Sequence, residues 1–309
     1  MKNVMFVKYN NLRKPEFQIS TTIYEEQGER IVEKSPCCKE ALSHIQGMGK
    51  NCELLKRAHK HVTAAEPELV GEMVRYEFIP GKTLEEELQN QFDDVDMLIY
   101  QISCSLDRIY EYQPDVLTGF YMTPEYESIF GRTECFVGET ATCVADVDLV
   151  FDNIMRRKTQ WILLDYEWVL EFPVPVSFLR FRTAVYFYDR HNLYFSKWYS
   201  RIAYLEKVGI PADKIDIFDR MEQSFQEYVR GEGLKYYSLK KYEKKIIPFR
   251  NYDTLSQELE QRDASIAFLN EVAASKDEYI ESLEQLVDKY HKNPLYRMYN
   301  GIRKTFLRS

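Results

Sequence analysis

The stretches ADVDLVFDNIM (145–155) and WILLDYEWV (161–169) carry acidic groups and one Asn beside short apolar runs. The apolar runs at 149–151 and 161–164 are typical of short strands that hold a turn between them. Asp148 and Asn153 lie in the first stretch, and Asp165 follows Asn153 by twelve residues. Magnesium prefers oxygen ligands and keeps several waters, so one carboxylate and one amide are a sufficient protein contribution. The spacing therefore predicts that Asn153 and Asp165 bind Mg²⁺ close to Asp148.

The first stretch also matches the catalytic-loop pattern D-L-x-x-x-N of protein kinases, with Asp165 where the metal-binding Asp of D-F-G would stand. In phosphoryl transfer, catalysis consists mainly of orienting the acceptor hydroxyl and neutralising phosphate charge. Asp148 is then the predicted catalytic base, which accepts the proton of the acceptor. The alternative is that the acids and Asn153 merely cap a hairpin, because Asp and Asn favour turns for backbone reasons.

A basic residue suited to phosphate binding ends a short β-like run in RIVEKSPCCKEALSHI (30–45). A kinase places its phosphate-pairing Lys at this point, before its first large helix. Lys34 is therefore predicted to bind the α and β phosphates of the nucleotide, unless it is an ordinary surface charge. Its usual helix partner is a Glu, and both Glu40 and Glu53 are available; the spacing favours Glu53.

A strand, a turn and a helix start are predicted in EMVRYEFIPGKTLEEEL (72–88). Thr83 opens the helix, and Glu86 occupies the capping-box position. A hinge between two lobes has this form, although an ordinary strand–turn–helix unit has it too. Under the hinge interpretation, adenine bonds to backbone groups of Glu77, Phe78 and Ile79.

The order of Lys34, YEFIPGKTL, DVDLVFDNI and LLDYEWV resembles the kinase-like superfamily, in its aminoglycoside phosphotransferase and choline kinase branch. LLDYEW is similar to choline kinases, which carry D-x-E in place of D-F-G. The resemblance spans roughly residues 4–250. It implies ATP and Mg²⁺ as cofactors and a bilobal, protein-kinase-like α+β fold. The N-lobe, an antiparallel sheet with one helix, would cover 1–82, and a mainly helical C-lobe would cover 83–250.

The sequence departs from the kinase pattern in the segment before Lys34. No G-x-G-x-x-G occurs there, and KYNNLRKPEFQISTTI (8–23) contains no Gly. A loop whose backbone N–H groups approach phosphates closely normally needs glycine. Either side chains of this segment substitute or ATP binding is weak, as in a pseudokinase; the candidates are Asn10, Asn11, Arg13 and Lys14.

Further departures lie around the acids themselves. The usual His and Arg before the catalytic Asp are Asp146 and Val147 here, so a different group must orient the loop. Glu167 is either a second metal ligand or a surface acid.

A heptad pattern covers 252–290. Ten of its twelve seam positions are apolar or aromatic, and Arg262 and Lys276 are the exceptions. A spacing of 3.5 sustained over more than five heptads predicts a coiled coil and therefore a homo-oligomer. The alternative is a long helix folded back on the C-lobe.

The charge composition of the sequence changes in the tail at 291–309. Residues 289–309 hold six Lys or Arg and no acid, whereas the whole chain has a formal net charge of −8. A helix from Asn293 would place Leu295, Ile302 and Phe306 on one face. A basic amphipathic helix of this kind lies at anionic membrane surfaces or binds a partner such as a glycosyltransferase. A solvated tail is the alternative.

Composition sets the remaining expectations. No apolar run approaches the roughly 18 residues of a membrane span, and the first residues have no signal-peptide core. We expect a cytoplasmic protein, with the tail as a means of peripheral attachment to the inner membrane face. Six cysteines without C-x-x-C suggest reduced thiols. The acidic balance and the lack of a nucleic-acid motif argue against DNA or RNA partners.

A kinase of the small-molecule type followed by a coiled coil and a basic tail resembles the kinase part of bacterial methyltransferase-kinases that cap surface polysaccharides. This resemblance implies that the acceptor is a hydroxyl of a cell-surface glycan or its lipid-linked precursor. Two alternatives remain. One is a soluble choline-kinase-like enzyme acting on a small alcohol, and the other is a non-catalytic kinase-like scaffold that docks glycosyltransferases.

Overall fold

The structure is a computed structural model that describes residues 2–157 and 160–230, and scattered positions between 262 and 292. The chain divides into two compact units, Met1–Phe249 and Arg250–Ser309. The strands are β1 (Asn3–Tyr9), β2 (Ile19–Glu26), β3 (Glu29–Pro36), β4 (Val62–Ala64), β5 (Glu68–Val70), β6 (Met73–Glu77), β7 (Leu117–Gly119), β8 (Thr140–Thr142), β9 (Ala145–Asp146), β10 (Ile154–Arg157), β11 (Gln160–Leu163), β12 (Val169–Leu170) and β13 (Val174–Pro175). The helices are α1 (Leu42–Ala58), α2 (Leu84–Gln89), α3 (Val95–Ile109), α4 (Pro124–Phe130), α5 (Val176–Arg190), α6 (Asn192–Phe195), α7 (Arg201–Lys207) and α8 (Ile215–Arg230).

The N-terminal part is a five-stranded sheet in the order β1–β2–β3–β6–β5, with every neighbouring pair antiparallel. Gln27 and Gly28 connect β2 to β3 with φ of 55° and 87°. Positive φ at both central residues is what a two-residue hairpin turn requires, and it matches the twist of the strands. The hairpin fixes the register that places Lys34 opposite Thr21 on one side and Val74 on the other.

Helix α1 covers this sheet. Its buried residues Ile45, Met48, Cys52 and Leu55 recur every three or four positions, which puts them on one helical face. Helix α1 continues through Gly47 and Gly49. A Cβ at either position would meet nothing within 4 Å, so no close contact requires glycine there. Contact with the sheet therefore stabilises α1 despite their unfavourable helix propensity.

The rest of the first unit is mainly helical, with small two- and three-stranded sheets that carry the loops of interest. Helix α2 begins at the predicted cap: Thr83 Oγ1 accepts from the Glu86 amide, and the Glu86 carboxylate accepts from the Thr83 amide. Helices α5 and α8 pack through aromatic pairs, among them Phe178 and Phe181 against Phe218. The buried core continues from α1 to α8.

The predicted mixed α+β class is confirmed, with an antiparallel sheet and one long helix followed by a mainly helical part. The predicted coiled coil lies largely outside the described residues, and the tail lies outside them except for Lys292. The described positions between 262 and 292 are helical, and the large apolar seam residues among them are 42 to 55% exposed: Ile266, Leu269, Ile280, Leu283 and Val287. In the described part of the chain, every helix is too short or too polar to cross a membrane.

Candidate active site

Two loops face each other because strand pairs join them at both ends. Residues 147–153 connect β9 to β10, and residues 164–168 connect β11 to β12. β9 pairs with β12 and β10 pairs with β11, both antiparallel. The Val147 amide donates to the Trp168 carbonyl at 3.1 Å, and the Leu164 amide donates to the Asn153 carbonyl at 2.8 Å. The acids of the two loops are thus held opposite one another.

Three carboxylates meet between these loops. One oxygen from each of Asp148, Asp165 and Glu167 lies within 4.8 Å of the other two. Carboxylate oxygens are suitable ligands for a hard divalent cation such as Mg²⁺, whereas soft metals prefer thiolate ligands. The donor chemistry therefore fits the cation that the sequence predicts.

Asn153 is oriented by its own loop. Its amide nitrogen Nδ2 donates to the Asp148 carbonyl at 2.8 Å. This bond fixes the side chain at one end and leaves Oδ1 as its acceptor. Asn153 and Asp148 are thereby linked directly, as the D-L-x-x-x-N spacing predicts for a common site.

Lys34 reaches the acids from the sheet. Its Nζ lies 2.5 Å from Asp165 Oδ1 and 3.0 Å from Glu167 Oε1. Burial alone would lower the pKa of Lys34, but the two carboxylates raise it above its ordinary value. Lys34 is therefore a buried cation at the centre of the acidic cluster, and the surface-charge alternative is wrong.

The partner of Lys34 differs from the prediction. Glu53 is exposed and pairs with Lys56 at 2.9 Å, one turn further along α1. Glu40 precedes α1 and is also exposed. Lys34 pairs instead with Glu167, which lies in the loop between β11 and β12 and has a side chain only 2% exposed. The spacing rule fails because α1 turns other residues toward the site.

Glu167 is the most heavily paired of the acids. Besides Lys34, it accepts from Arg13 Nη1, and His44 Nε2 lies 3.6 Å away. Burial raises the pKa of Glu167, but Lys34, His44 and Arg13 more than offset this and hold it well below the usual range. Glu167 is therefore an anchored anion, and the surface-acid alternative is wrong.

Helix α1 contributes to the site through polar residues that sequence reasoning missed. Asn51 Nδ2 donates to the carbonyls of Tyr166 and Glu167 at 3.1 and 3.3 Å. The Tyr166 hydroxyl donates to the Ala65 carbonyl at 2.5 Å, where β4 runs parallel to β11. These bonds fix the backbone of the D-x-E segment. The position of Asn51 around α1, relative to the buried face of the helix, was the sequence signal that could have indicated this role.

The group that orients the first loop is also visible. Asp146 is fully buried, and its Oδ1 accepts from the Asp148 amide at 2.9 Å. The Leu149 carbonyl accepts from the Tyr110 hydroxyl at 3.2 Å and from Thr183 Oγ1 at 2.5 Å. Asp146, Tyr110 and Thr183 thus replace the His and Arg that the kinase pattern places before its catalytic Asp.

The environment of Asp148 suits a proton acceptor. Burial, reinforced by the charges of Asp165 and Glu167, raises the pKa of Asp148 to about 7, and Arg182 and Arg13 partly oppose this. A base with a pKa near the working pH is efficient in proton transfer. Asp148 is half-buried, so part of the residue stays accessible to solvent.

The predicted hinge leads from β6 to α2. Glu77 ends β6 opposite Ile31 of β3. The Phe78 amide donates to the Arg30 carbonyl at 3.2 Å, so this N–H group is already used within the sheet. Ile79 is partly buried against the core. The adenine-binding role of Glu77, Phe78 and Ile79 stays a prediction.

No protein-family model matches the chain, and no curated protein matches it by sequence. Solved structures do match. A macrolide 2'-phosphotransferase type I gives a TM-score of 0.37 at 10% identity, over 72% of this chain and 86% of the other. Choline kinase LicA from Streptococcus pneumoniae gives 0.36 at 14% identity, over 78% and 92%. A thermostable mutant of an aminoglycoside phosphotransferase gives 0.38 at 12% identity, over 72% and 95%.

These structures are phosphotransferases and a choline kinase, the same group of proteins that the sequence motifs resemble. At TM-scores this low, the likeness carries no weight for function. The function of this chain is therefore inferred from the geometry of the site.

Proposed function

We propose that this protein is an ATP- and Mg²⁺-dependent phosphotransferase that acts on a hydroxyl acceptor. The observation that carries the proposal is the convergence of Asp148, Asp165 and Glu167 within 4.8 Å, with Lys34 Nζ 2.5 Å from Asp165. Carboxylates that are shielded from water repel one another at a cost, so the convergence of three of them favours a cation-binding role over packing alone.

Each side chain then has one task. Asp148 accepts the proton of the acceptor hydroxyl, and its pKa of about 7 suits that task. Asn153 Oδ1 and the Asp165 carboxylate are the proposed Mg²⁺ ligands, with the remaining positions left to water and phosphate. Lys34 binds the phosphates, and Glu167 holds Lys34 in place. When bound, Mg²⁺ would neutralise charge on the transferred phosphoryl group.

A thermal-shift titration with ATP and Mg²⁺ tests this function. A nucleotide at several times its dissociation constant should stabilise the wild type by about 1 kcal/mol or more. Asp165→Asn should lose this stabilisation. The matched control is Asp152→Asn, since Asp152 lies in the facing loop, next to Asn153, but pairs with Arg190. Lack of any Mg²⁺-dependent shift in the wild type would favour a non-catalytic scaffold.

We further propose that the acceptor is a hydroxyl of a surface glycan or its lipid-linked precursor, at the cytoplasmic face of the membrane. The heptad pattern at 252–290 and the basic residues of 289–309 support this. Removal of residues 293–309 should abolish co-sedimentation with anionic liposomes. Phosphorylation of choline at an undiminished rate by a protein lacking 252–309 would favour the soluble small-alcohol enzyme instead.

A further inference from the structure

The segment between β1 and β2, residues 10–18, occupies the place where a kinase carries its glycine-rich phosphate loop. Backbone N–H groups bind phosphate well only when they are free and converge, which normally requires residues with positive φ. Among the residues the structure describes, Gln27 is the non-glycine with positive φ, so residues 10–18 have none. Their backbone does not form a phosphate cradle.

The amides of this segment are also largely committed. Those of Asn10, Arg13, Phe17 and Gln18 donate to carbonyls within or beside the segment. The Lys14 amide donates at 2.9 Å to the Val229 carbonyl of α8, and residue 15 is a proline without an N–H. The segment is thus held in place by its own hydrogen bonds and by α8, and these bonds favour side chains as its phosphate ligands.

Arg13 points into the acidic cluster. Its Nη1 donates to Glu167, its guanidinium carbon lies 5.6 Å from the Trp168 ring centroid, and its side chain is 21% exposed. The Gln18 side chain donates to the Arg13 carbonyl at 2.8 Å and supports the backbone there. A guanidinium has five N–H donors in a rigid fork, so the contact with Glu167 leaves others available on the exposed side.

The charge balance of the acidic cluster suits anion binding by the exposed guanidinium of Arg13. Three carboxylates face two cations, Lys34 and Arg13, in the cluster. A bound divalent cation changes the formal net charge of these five groups from negative to positive, so the site then attracts an anion. Arg13 lies in the connection between β1 and β2, Lys34 lies in β3, and both contact Glu167. A polyphosphate that bridges the two cations would therefore be bound at both ends.

We propose that Arg13 is the phosphate-binding residue of this segment and takes the place of a glycine-rich loop, with the β and γ phosphates of a Mg²⁺-bound nucleotide as its ligand. This deepens the proposed function and rests on it. Among the four candidates that the sequence offers, Lys14 is excluded by its position, since its Nζ lies over the Tyr228 ring at 5.2 Å.

Isothermal titration calorimetry with AMP, ADP and ATP in Mg²⁺ tests the assignment. Arg13→Met should weaken ATP and ADP binding about 10- to 100-fold, the size of one charge-assisted hydrogen bond, and leave AMP binding unchanged. Lys14→Met, the adjacent cation, should leave all three affinities unchanged. Arg13→Lys should give an intermediate loss for ADP and ATP, because a lysine cannot reproduce the fork.

The outcomes are distinguishable. If the wild type binds no nucleotide, the proposed function itself fails. If the wild type binds but Arg13→Met behaves like Lys14→Met, or loses AMP and ATP equally, Arg13 is only a structural partner of Glu167 and the assignment is overturned. Should Arg13→Met not fold, as judged by circular dichroism, Arg13→Lys decides: affinities equal to the wild type for all three nucleotides would overturn it.

Discussion

Lys34 Nζ lies 2.5 Å from Asp165 Oδ1, although 131 positions separate the two residues in the chain. One residue comes from the third strand of the N-terminal sheet, and the other follows β11 in the mainly helical part. This contact joins the two parts of the first unit at the acids. It also places the Lys34 ammonium group beside a proposed metal ligand.

Lys34→Met should therefore lower the affinity for ATP in Mg²⁺ by about 10- to 100-fold, since a charge-assisted contact to phosphate is lost. Glu53→Gln is the matched control, because Glu53 is exposed and pairs with Lys56 in its own helix. Calorimetric titration of both variants checks this. A loss of affinity in Glu53→Gln as large as that in Lys34→Met would restore the helix-Glu assignment.

Glu167→Gln should destabilise the fold by about 3–5 kcal/mol, the range seen when one partner of a buried ion pair is removed. The change leaves the cations Lys34 and Arg13 without their shared carboxylate. Glu171→Gln, four residues on, should cost at most about 1 kcal/mol because its pair with Lys50 is exposed. Urea unfolding measures both. Equal costs would mean that the cluster is not a buried network.

Asp146→Ala should lower both stability and turnover. It leaves the Asp148 amide without its acceptor, and a buried unsatisfied donor costs about 1–3 kcal/mol. Asp146→Asn keeps an oxygen at Oδ1 and should retain most of the turnover. The comparison uses kcat and KM for the acceptor, and the KM for ATP should stay near the wild-type value. If both variants lose turnover alike, Asp146 does more than position the loop.

His59 predicts a pH dependence of stability that is separate from the site. It is buried, its Nδ1 lies 3.0 Å from the Ile109 carbonyl, and burial lowers its pKa from 6.5 to about 4. Between these values the unfolded chain binds the proton and the folded chain does not. Stability from this group is therefore fully present above pH 6.5 and falls by about 3 kcal/mol as the pH is lowered to 4.

The test of this dependence compares the unfolding free energy of the wild type with that of His59→Gln at pH 7, 5.5 and 4.5. The difference between the two proteins should shrink as the pH falls, because only the wild type loses the His59 contribution. A constant difference across the three pH values would show that His59 does not titrate in this way.

The sequence predicted what local spacing controls. The capping box at Thr83 and Glu86 formed as predicted, because both bonds join residues three positions apart. The mixed α+β class was implied by the resemblance of the motifs to the kinase-like superfamily. The joining of Asp148 and Asn153 in one loop likewise followed from five residues of spacing.

The residues that contact the acids and their loops could not be predicted, because these contacts depend on how distant elements pack. Which face α1 turns to the acids decides between Glu53 and the pair His44 and Asn51. The bond between Tyr110 and the Leu149 carbonyl spans 39 positions, and the pair of Arg13 and Glu167 spans 154. Contacts at such separations carry no periodic signal in one sequence.

The central claim is that Asp165 and Asn153 bind one nucleotide-bound divalent cation next to Asp148. A crystal structure with ADP and Mn²⁺ in place of Mg²⁺, using the anomalous signal of manganese, tests it most directly. We predict one anomalous peak about 2 Å from an Asp165 carboxylate oxygen and from Asn153 Oδ1, with the phosphates at Lys34. A peak elsewhere, or ADP bound away from Lys34, would contradict the account.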